Sequence, residues 1–484
     1  MNEFTMWENK IVFKEGMFLY LDGKGNNSFI CEECAGRIEA DYYDYQASMD
    51  VNRGGIDPEV CYPGRGFVKG ENGRWEYKKP YKIEKLKGEE NVVPIEEEFT
   101  IPSVVDGTIK INVIRREAFY QCEALRKLVI PKSIKVIETG AFTGCTNLRE
   151  IVVEGEIVKI EENAFLDTDY YNHEENWENG AIYLGGWLLK VRTETEGSFC
   201  VKEGTIGIAD KAFEKCSKLT EIMMPETIDY IGGYAFVDCS NLTNISFPEK
   251  VKKFGVGVLS GCISLENVKL PTGVKNIAGM FKNNQNLRGA HLPEGIETIG
   301  NSAFENCTNL YEIRLPDSIK SISRTAFHNT GYMNEKANWK DGALYLSHWL
   351  IDVDKSLIGK FNIEDGTIGI ADETFGTSFW GSGKSCALLT EIEIPETVKY
   401  IGQGAFCGCV KLKKIKIPSG VENLSQDIFR DCTNLKEVWL PKGIKSIGYW
   451  PFFRCEKVTA IVAAGSFAET YMKKNKIAYK TYED

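Results

Sequence analysis

Histidine is scarce in this 484-residue chain: there are four, and none lies in the first 172 residues. His173, His291, His328 and His348 fall at equivalent or exposed repeat positions with no base or nucleophile patterned beside them. A serine or cysteine triad therefore has no support. No run of about 18 apolar residues exists, so no transmembrane helix and no membrane insertion are expected. The amino terminus, Met1 to Lys10, carries Glu3 early and has no apolar h-region, unlike a secretory signal peptide. A cytoplasmic protein is expected on that ground, with the cell surface or secretion as the alternative. Basic residues are also short, 58 Lys and Arg against 69 Asp and Glu, for a formal charge of -11. That balance argues against nucleic acid or an anionic membrane as the main partner.

What the chain does have is a 23-residue sentence repeated along most of its length. One copy runs from Leu219 through Ile222, Met224, Pro225, Ile228, Ile231, Gly232, Ala235 and Phe236 to Cys239. A fixed period of this length means a solenoid, in which each unit exposes an apolar face that only its neighbours can cover. Leu-x-x-Ile-x-Ile is a short β-strand by its alternation and β-branched content. The following proline ends it, having no N–H for a ladder. Ile228 to Ile231 is a second extended piece, and Gly232 suits a turn with positive φ. Ala-Phe-x-x-Cys reads as one helical or 3₁₀ turn.

Fifteen cysteines suggest a disulfide framework until they are placed on the repeat. Ten of them, from Cys122 to Cys455, fall in one slot after the Phe, where Thr330 and Asn284 stand in other copies. A slot that accepts Cys, Thr or Asn wants a small side chain with a local hydrogen bond, so these are read as buried, reduced thiols.

The consensus Leu-x-x-Ile-x-Ile-Pro-x-x-Val-x-x-Ile-Gly-x-x-Ala-Phe-x-x-Cys resembles the BspA-like leucine-rich repeats of many bacterial and some protist proteins, over roughly residues 100–465. The resemblance implies a right-handed, gently curved leucine-rich-repeat solenoid, a β-rich superhelix with a parallel sheet on one face. It also implies a surface or secreted protein that binds other proteins, and it carries over no catalytic residue.

The chain divides by pattern into residues 1–98, a β-rich amino-terminal domain or cap; residues 99–462, the solenoid; and residues 463–484, a carboxyl-terminal cap. In the first part, Ile11 to Leu21 alternates as a hairpin. In the last, a helix over Phe467 to Lys474 and a strand over Ile477 to Tyr482 would close the apolar end. Two coils, about 166–204 and 328–366, are longer than the rest and match each other at an offset of 162 residues, from Asn176-Trp177 and Asn338-Trp339 to Asp210 and Asp372. A block of repeats was duplicated. Each long coil is expected to carry a hairpin, Ala181 to Val191 and Ala343 to Val353. Their aromatic residues pin the hairpin to the coil, or else Trp187 and Trp349 form an aromatic ligand platform.

Candidate chemistry is thin. Cys31, Cys34 and Cys61 are the best metal ligands on offer, but zinc wants four and only three thiols are present. Ordinary core residues are the preferred reading, and no cofactor is expected. Gly381-Ser-Gly383-Lys384-Ser385 has Ser378 where a phosphate loop needs glycine, so it reads as a surface loop. Glu39 to Tyr45, acidic and aromatic, reads as a solvated face.

The remaining clue is the outward residue of each first strand, which must point away from the core. Met223, Lys269, His291, Arg314, Lys416 and Trp439 stand there, and exposed Trp, Met and Arg are enriched at binding hot spots. The expectation is a non-enzymatic scaffold that binds a protein or peptide on its concave sheet. A cell-surface adhesin or glycan binder is the first alternative. A metal-binding or enzymatic amino-terminal module with the repeats as receptor is the second.

Overall fold

The computed structural model describes residues 98–484, without 102, 106–108, 377–383 and 484, together with six strands before residue 98. Asn9–Lys14 and Met17–Leu21 pair antiparallel, over the stretch whose alternation predicts a hairpin. Asn27–Cys31 extends this sheet on one side and Tyr81–Lys85, parallel to Asn9–Lys14, on the other. Phe67–Lys69 and Trp75–Tyr77 form a separate pair. Cys34 and Cys61, the segment Glu39 to Tyr45, Ser378 and Gly381 to Gly383 lie outside the described residues, as does the side chain of Cys31.

The chain forms two compact units. One comprises Met1–Arg192, Lys202–Phe213 and Ile231–Ala235; the other comprises Thr193–Val201, Glu214–Tyr230 and Phe236–Asp484. Each is β-solenoid built of stacked coils with two parallel ladders. In the first unit Glu98–Thr100, Lys127–Ile130 and Glu150–Val153 make one ladder, and Val113–Ile114, Val136–Ile137 and Lys159–Ile160 the other. In the second unit the largest sheet has six strands, from Gly359–Asn362 through Leu389–Glu393, Lys414–Lys416, Glu437–Trp439 and Thr459–Ala463 to Tyr479–Tyr482. Strands such as Lys414–Lys416 alternate exposed, buried, exposed, so the consensus Leu and Ile fill the core.

The conserved spacing of Phe stacks one ring on the next. Phe119, Phe142 and Phe165 lie 4.9 and 5.2 Å apart with nearly parallel planes. Phe375, Phe406 and Phe429 repeat this at 5.5 Å in the second unit. Such pairs add about 0.5–1.5 kcal/mol beyond the burial itself.

The Ala-Phe segment is a string of hydrogen-bonded turns, not the expected helical turn. The residues two before and two after the Phe are left-handed: Glu117 and Gln121 around Phe119, Asp427 and Asp431 around Phe429. A left-handed residue breaks a helix, and the amide N–H groups must find other acceptors. Those of Glu117, Phe119 and Gln121 donate to Thr139, Ala141 and Thr143 of the next coil, at 3.1, 2.7 and 2.8 Å. Those of Ala118, Tyr120 and Cys122 close turns three residues back. Every second amide therefore tethers the next coil.

Glycine after the second strand answers a different need from the one its sequence suggests. A Cβ on Gly402 would fall 2.4 Å from the backbone N of Asp372 and 2.5 Å from its carboxylate oxygen. The position needs the absence of a side chain between stacked coils rather than a positive φ.

Both hairpins form as expected, Ala181–Leu184 with Trp187–Val191 and Ala343–Leu346 with Trp349–Val353. Their second arms join the second-strand ladder, Trp187 opposite Gly207 and Trp349 opposite Gly369. Short helices, Asp169–Asn172 and Gly331–Asn334, stand where these coils would otherwise have a first strand. In the second unit Leu310 to Leu315 forms no strand, against the expectation from its Leu-x-x-Ile pattern, whereas Glu150–Val153, at the same place before the first short helix, pairs with Lys127–Ile130. The Leu310 carbonyl accepts from Tyr332 N–H of the helix at 2.8 Å instead.

A helix and a strand follow the last repeat, over the stretch expected to form them. The helix Phe467–Lys474 begins at Ser466, whose Oγ accepts from Glu469 N–H at 3.1 Å, while the Glu469 carboxylate accepts from Gly465 N–H at 2.7 Å. These contacts satisfy amides left over by the first turn. Tyr479–Tyr482 then pairs parallel with Thr459–Ala463.

Candidate functional site

All six outward residues singled out by the sequence are exposed and lie in the second unit. They do not share one sheet. Met223 ends Leu219–Met223 in a three-stranded sheet, opposite Cys200 of Gly197–Cys200. Lys269 and His291 are register partners in a two-stranded sheet, Asn267–Lys269 with Gly289–His291. Arg314 stands on the unpaired segment Leu310 to Leu315 and has no ion-pair partner among the described residues. Lys416 and Trp439 are register partners in the six-stranded sheet.

The last pair is the most developed grouping. Trp439 is 42% exposed, although it lies between the buried Val438 and Leu440. Its ring centroid is 6.1 Å from that of Tyr482, whose hydroxyl donates to Leu440 O at 3.2 Å. Tyr482 escaped the sequence reading, because it reaches this row only through pairing of Tyr479–Tyr482 with Thr459–Ala463. Lys416 Nζ lies 2.9 Å from Glu396, whose carboxyl is held below its ordinary range by Ser419 N–H and by Lys416. The patch is thus one indole, one phenol and a cation already half neutralised.

The tryptophans of the hairpins are not a platform. Trp187 and Trp349 are buried, and Trp187 Nε1 donates to Ile157 O at 2.7 Å. Trp349 stacks on Tyr400 with centroids 6.0 Å apart. Trp177 and Trp339 are half-buried and donate to Tyr171 O and Met333 O, both at 2.8 Å. The glycan-platform reading of Trp187 and Trp349 fails for want of any open ring face.

The cysteine slot is structural, though its bond is not local. Cys145, Cys262, Cys432 and Cys455 each donate Sγ–H to the Phe carbonyl of the preceding coil, at 2.9–3.1 Å. The threonines bond the Phe carbonyl of their own coil, Thr168 to Phe165 O at 2.8 Å and Thr330 to Phe327 O at 2.9 Å. Every described cysteine is a free thiol, and burial pushes Cys307 and Cys455 up to about 12. A thiol that stays neutral is neither a nucleophile nor a metal ligand. Among the described residues no cluster of His, Cys, Asp or Glu could hold a metal, and no helix is long and apolar enough to cross a membrane.

Stacked coils, parallel ladders, and exposed rungs between buried Leu and Ile define a leucine-rich-repeat solenoid. The chain belongs to the BspA type leucine rich repeat family, whose model matches in 6 copies over residues 100–175, 206–334 and 356–476. No curated protein matches it. Among solved structures, it is similar to a leucine-rich repeat protein from Bacteroides ovatus at 20% identity, over 79% of this chain and 91% of that one, with a TM-score of 0.30. It is also similar to a leucine rich cell surface protein from Faecalibacterium prausnitzii at 21% identity, over 86% and 96%, with a TM-score of 0.25. The Treponema pallidum (T. pallidum) leucine rich repeat protein shares 26% identity over 45% and 80%, with a TM-score of 0.22.

Proposed function

We propose that the chain is a non-enzymatic recognition scaffold that presents outward strand residues of its second unit to a protein or peptide. The observation that carries this reading is the Lys416–Trp439–Tyr482 row. An exposed indole beside a phenol and a cation, on a rigid six-stranded sheet, is the composition of a binding hot spot. Met223, Lys269, His291 and Arg314, at equivalent outward positions outside that sheet, would be further contacts. A sheet held by parallel ladders and a stacked core presents such side chains at little entropic cost.

The test is a screen of the full-length protein against an array of proteins and peptides, repeated with Trp439→Ala and with Arg314→Glu/Lys416→Glu. Each variant should weaken a true ligand about ten-fold or more. A ligand that binds both variants as tightly as the wild type would overturn the reading.

A further inference from the structure

The duplicated hairpin coils are tied to their flanking coils by ion pairs whose signs are exchanged between the two copies. In the first unit Glu162 pairs with Lys211, and Glu178 with Lys202 at 2.6 Å. The positions 162 residues further on are Arg324, Glu373, Lys340 and Glu364. Arg324 pairs with Glu373 at 3.3 Å, and Lys340 with Glu364 at 2.7 Å. Each bridge is kept and each is reversed. Glu174 and Arg192, 2.5 Å apart, are replaced by Lys336 and Asp354, charges also exchanged but with no bridge between them.

The exchange has one sense throughout. In the first copy the paired residues leading into the hairpin are acidic and the paired residues returning from it basic; in the second copy the order is inverted. Several neutral contacts are common to both copies. Tyr170 Oη donates to Tyr183 O at 3.2 Å, and Tyr332 Oη to Tyr345 O at 2.6 Å. Asn176 and Asn338 donate to Tyr170 O and Tyr332 O at 3.0 and 2.8 Å. Tyr183 and Tyr345 Oη accept the amide N–H of Lys202 and of Glu364, both at 3.1 Å.

Shape and neutral hydrogen bonds would therefore let the leading stretch of either copy dock on the returning stretch of the other. Charge forbids it: Glu162 would meet Glu373 and Glu178 would meet Glu364, while Arg324 would meet Lys211 and Lys340 would meet Lys202. Like charges brought opposite each other select against a wrong pairing without weakening the right one.

We propose that these exchanged ion pairs are an address that makes each hairpin coil fold onto its own flank, and not onto the flank of the other copy in the same chain or in a second chain. The device guards against a slip of one whole block, the error to which a duplicated repeat is most exposed.

The experiment gives the first copy the residues of the second. Glu162→Arg, Lys211→Glu, Glu178→Lys and Lys202→Glu, combined in the full chain, keep both of these native pairs attractive and make the crossed pairs at the same four positions attractive too. Refolding from denaturant, followed by size-exclusion chromatography with light scattering, should yield about three-fold less monomer than the wild type, with the difference in swapped oligomers. The deficit should narrow in about 1 M salt, where the Debye length is about 3 Å. A companion variant reverses the four equivalent residues of the second copy as well, restoring opposite codes, and should refold as the wild type does. A four-site variant that refolds to monomer at the wild-type yield overturns the proposal. So does an eight-site variant that misfolds as badly as the four-site one, since local damage would then explain both.

Discussion

Gly369 lies directly against the indole of Trp349: a Cβ built on it would fall 2.5 Å from Cζ3. Gly207 holds the same relation to Trp187, at 2.8 Å from Cη2. These two contacts seat the second arm of each hairpin in the ladder, and the tryptophan is buried because its neighbour has no side chain. An indole is too large to yield by a change of rotamer. Gly369→Ala should destabilise the second unit by about 1–3 kcal/mol, measured as a lower midpoint in urea. A midpoint equal to the wild type would mean that the ring is free to shift.

Asn284 stands in the cysteine slot, fully buried, and neither its amide nitrogen nor its oxygen has a hydrogen-bond partner in the protein. Its counterparts Cys262 and Cys307 each bond the carbonyl of the preceding coil. An unsatisfied buried polar group costs about 1–3 kcal/mol, so Asn284→Cys should raise stability by an amount in that range. Equilibrium unfolding in reducing buffer checks it. Unchanged or lowered stability would show that the amide is satisfied in solution.

The thiols divide sharply by environment. Cys200 is exposed, whereas Cys307, Cys409 and Cys432 are buried in the slot and burial raises each above the ordinary thiol range. At pH 8, among the described cysteines, a thiol reagent should label Cys200 first, the half-buried Cys122 more slowly, and the buried slot cysteines only on unfolding. The sign for stability follows from the raised folded values. The stabilising contribution is complete below the unfolded thiol pKa of about 8.5 and is lost as pH rises toward about 12. Stability of the wild type should therefore fall above pH 9, and replacing Cys307 by Ser should reduce that slope.

Much of the fold was legible because one repeat writes both ladders and the core at once. The alternation in Leu-x-x-Ile-x-Ile puts Lys416 and Trp439 outside and Ile415 and Val438 inside, and the match between the long coils marks both hairpins. What escaped depends on neighbours from other coils. The unpaired stretch around Arg314 is signalled by no local pattern in residues 310–315. The role of Gly402 depends on how near Asp372 comes, and the row at Trp439 on where the last strand carries Tyr482. The left-handed residues flanking Phe119, Phe429 and most of their equivalents also escaped, since their identity ranges from Glu117 to Asp427 and only the position is kept.

Asp372 provides a pH test of the coil-to-coil contacts. Its carboxylate accepts from Gln403 N–H at 2.8 Å, yet burial outweighs that bond and pushes its pKa up to about 6. A carboxyl raised in the folded state stabilises fully below its unfolded value, near 4, and loses that contribution as pH rises through about 6. Asp372→Asn keeps an oxygen acceptor for Gln403 and removes the charge. The variant should match the wild type near pH 4 and exceed it at pH 7.5, the difference opening between those values as unfolding is followed across pH. Should the variant be the less stable at pH 7.5, the Gln403 bond to a charged oxygen outweighs the cost of burial, and the carboxyl is ionised well below pH 6.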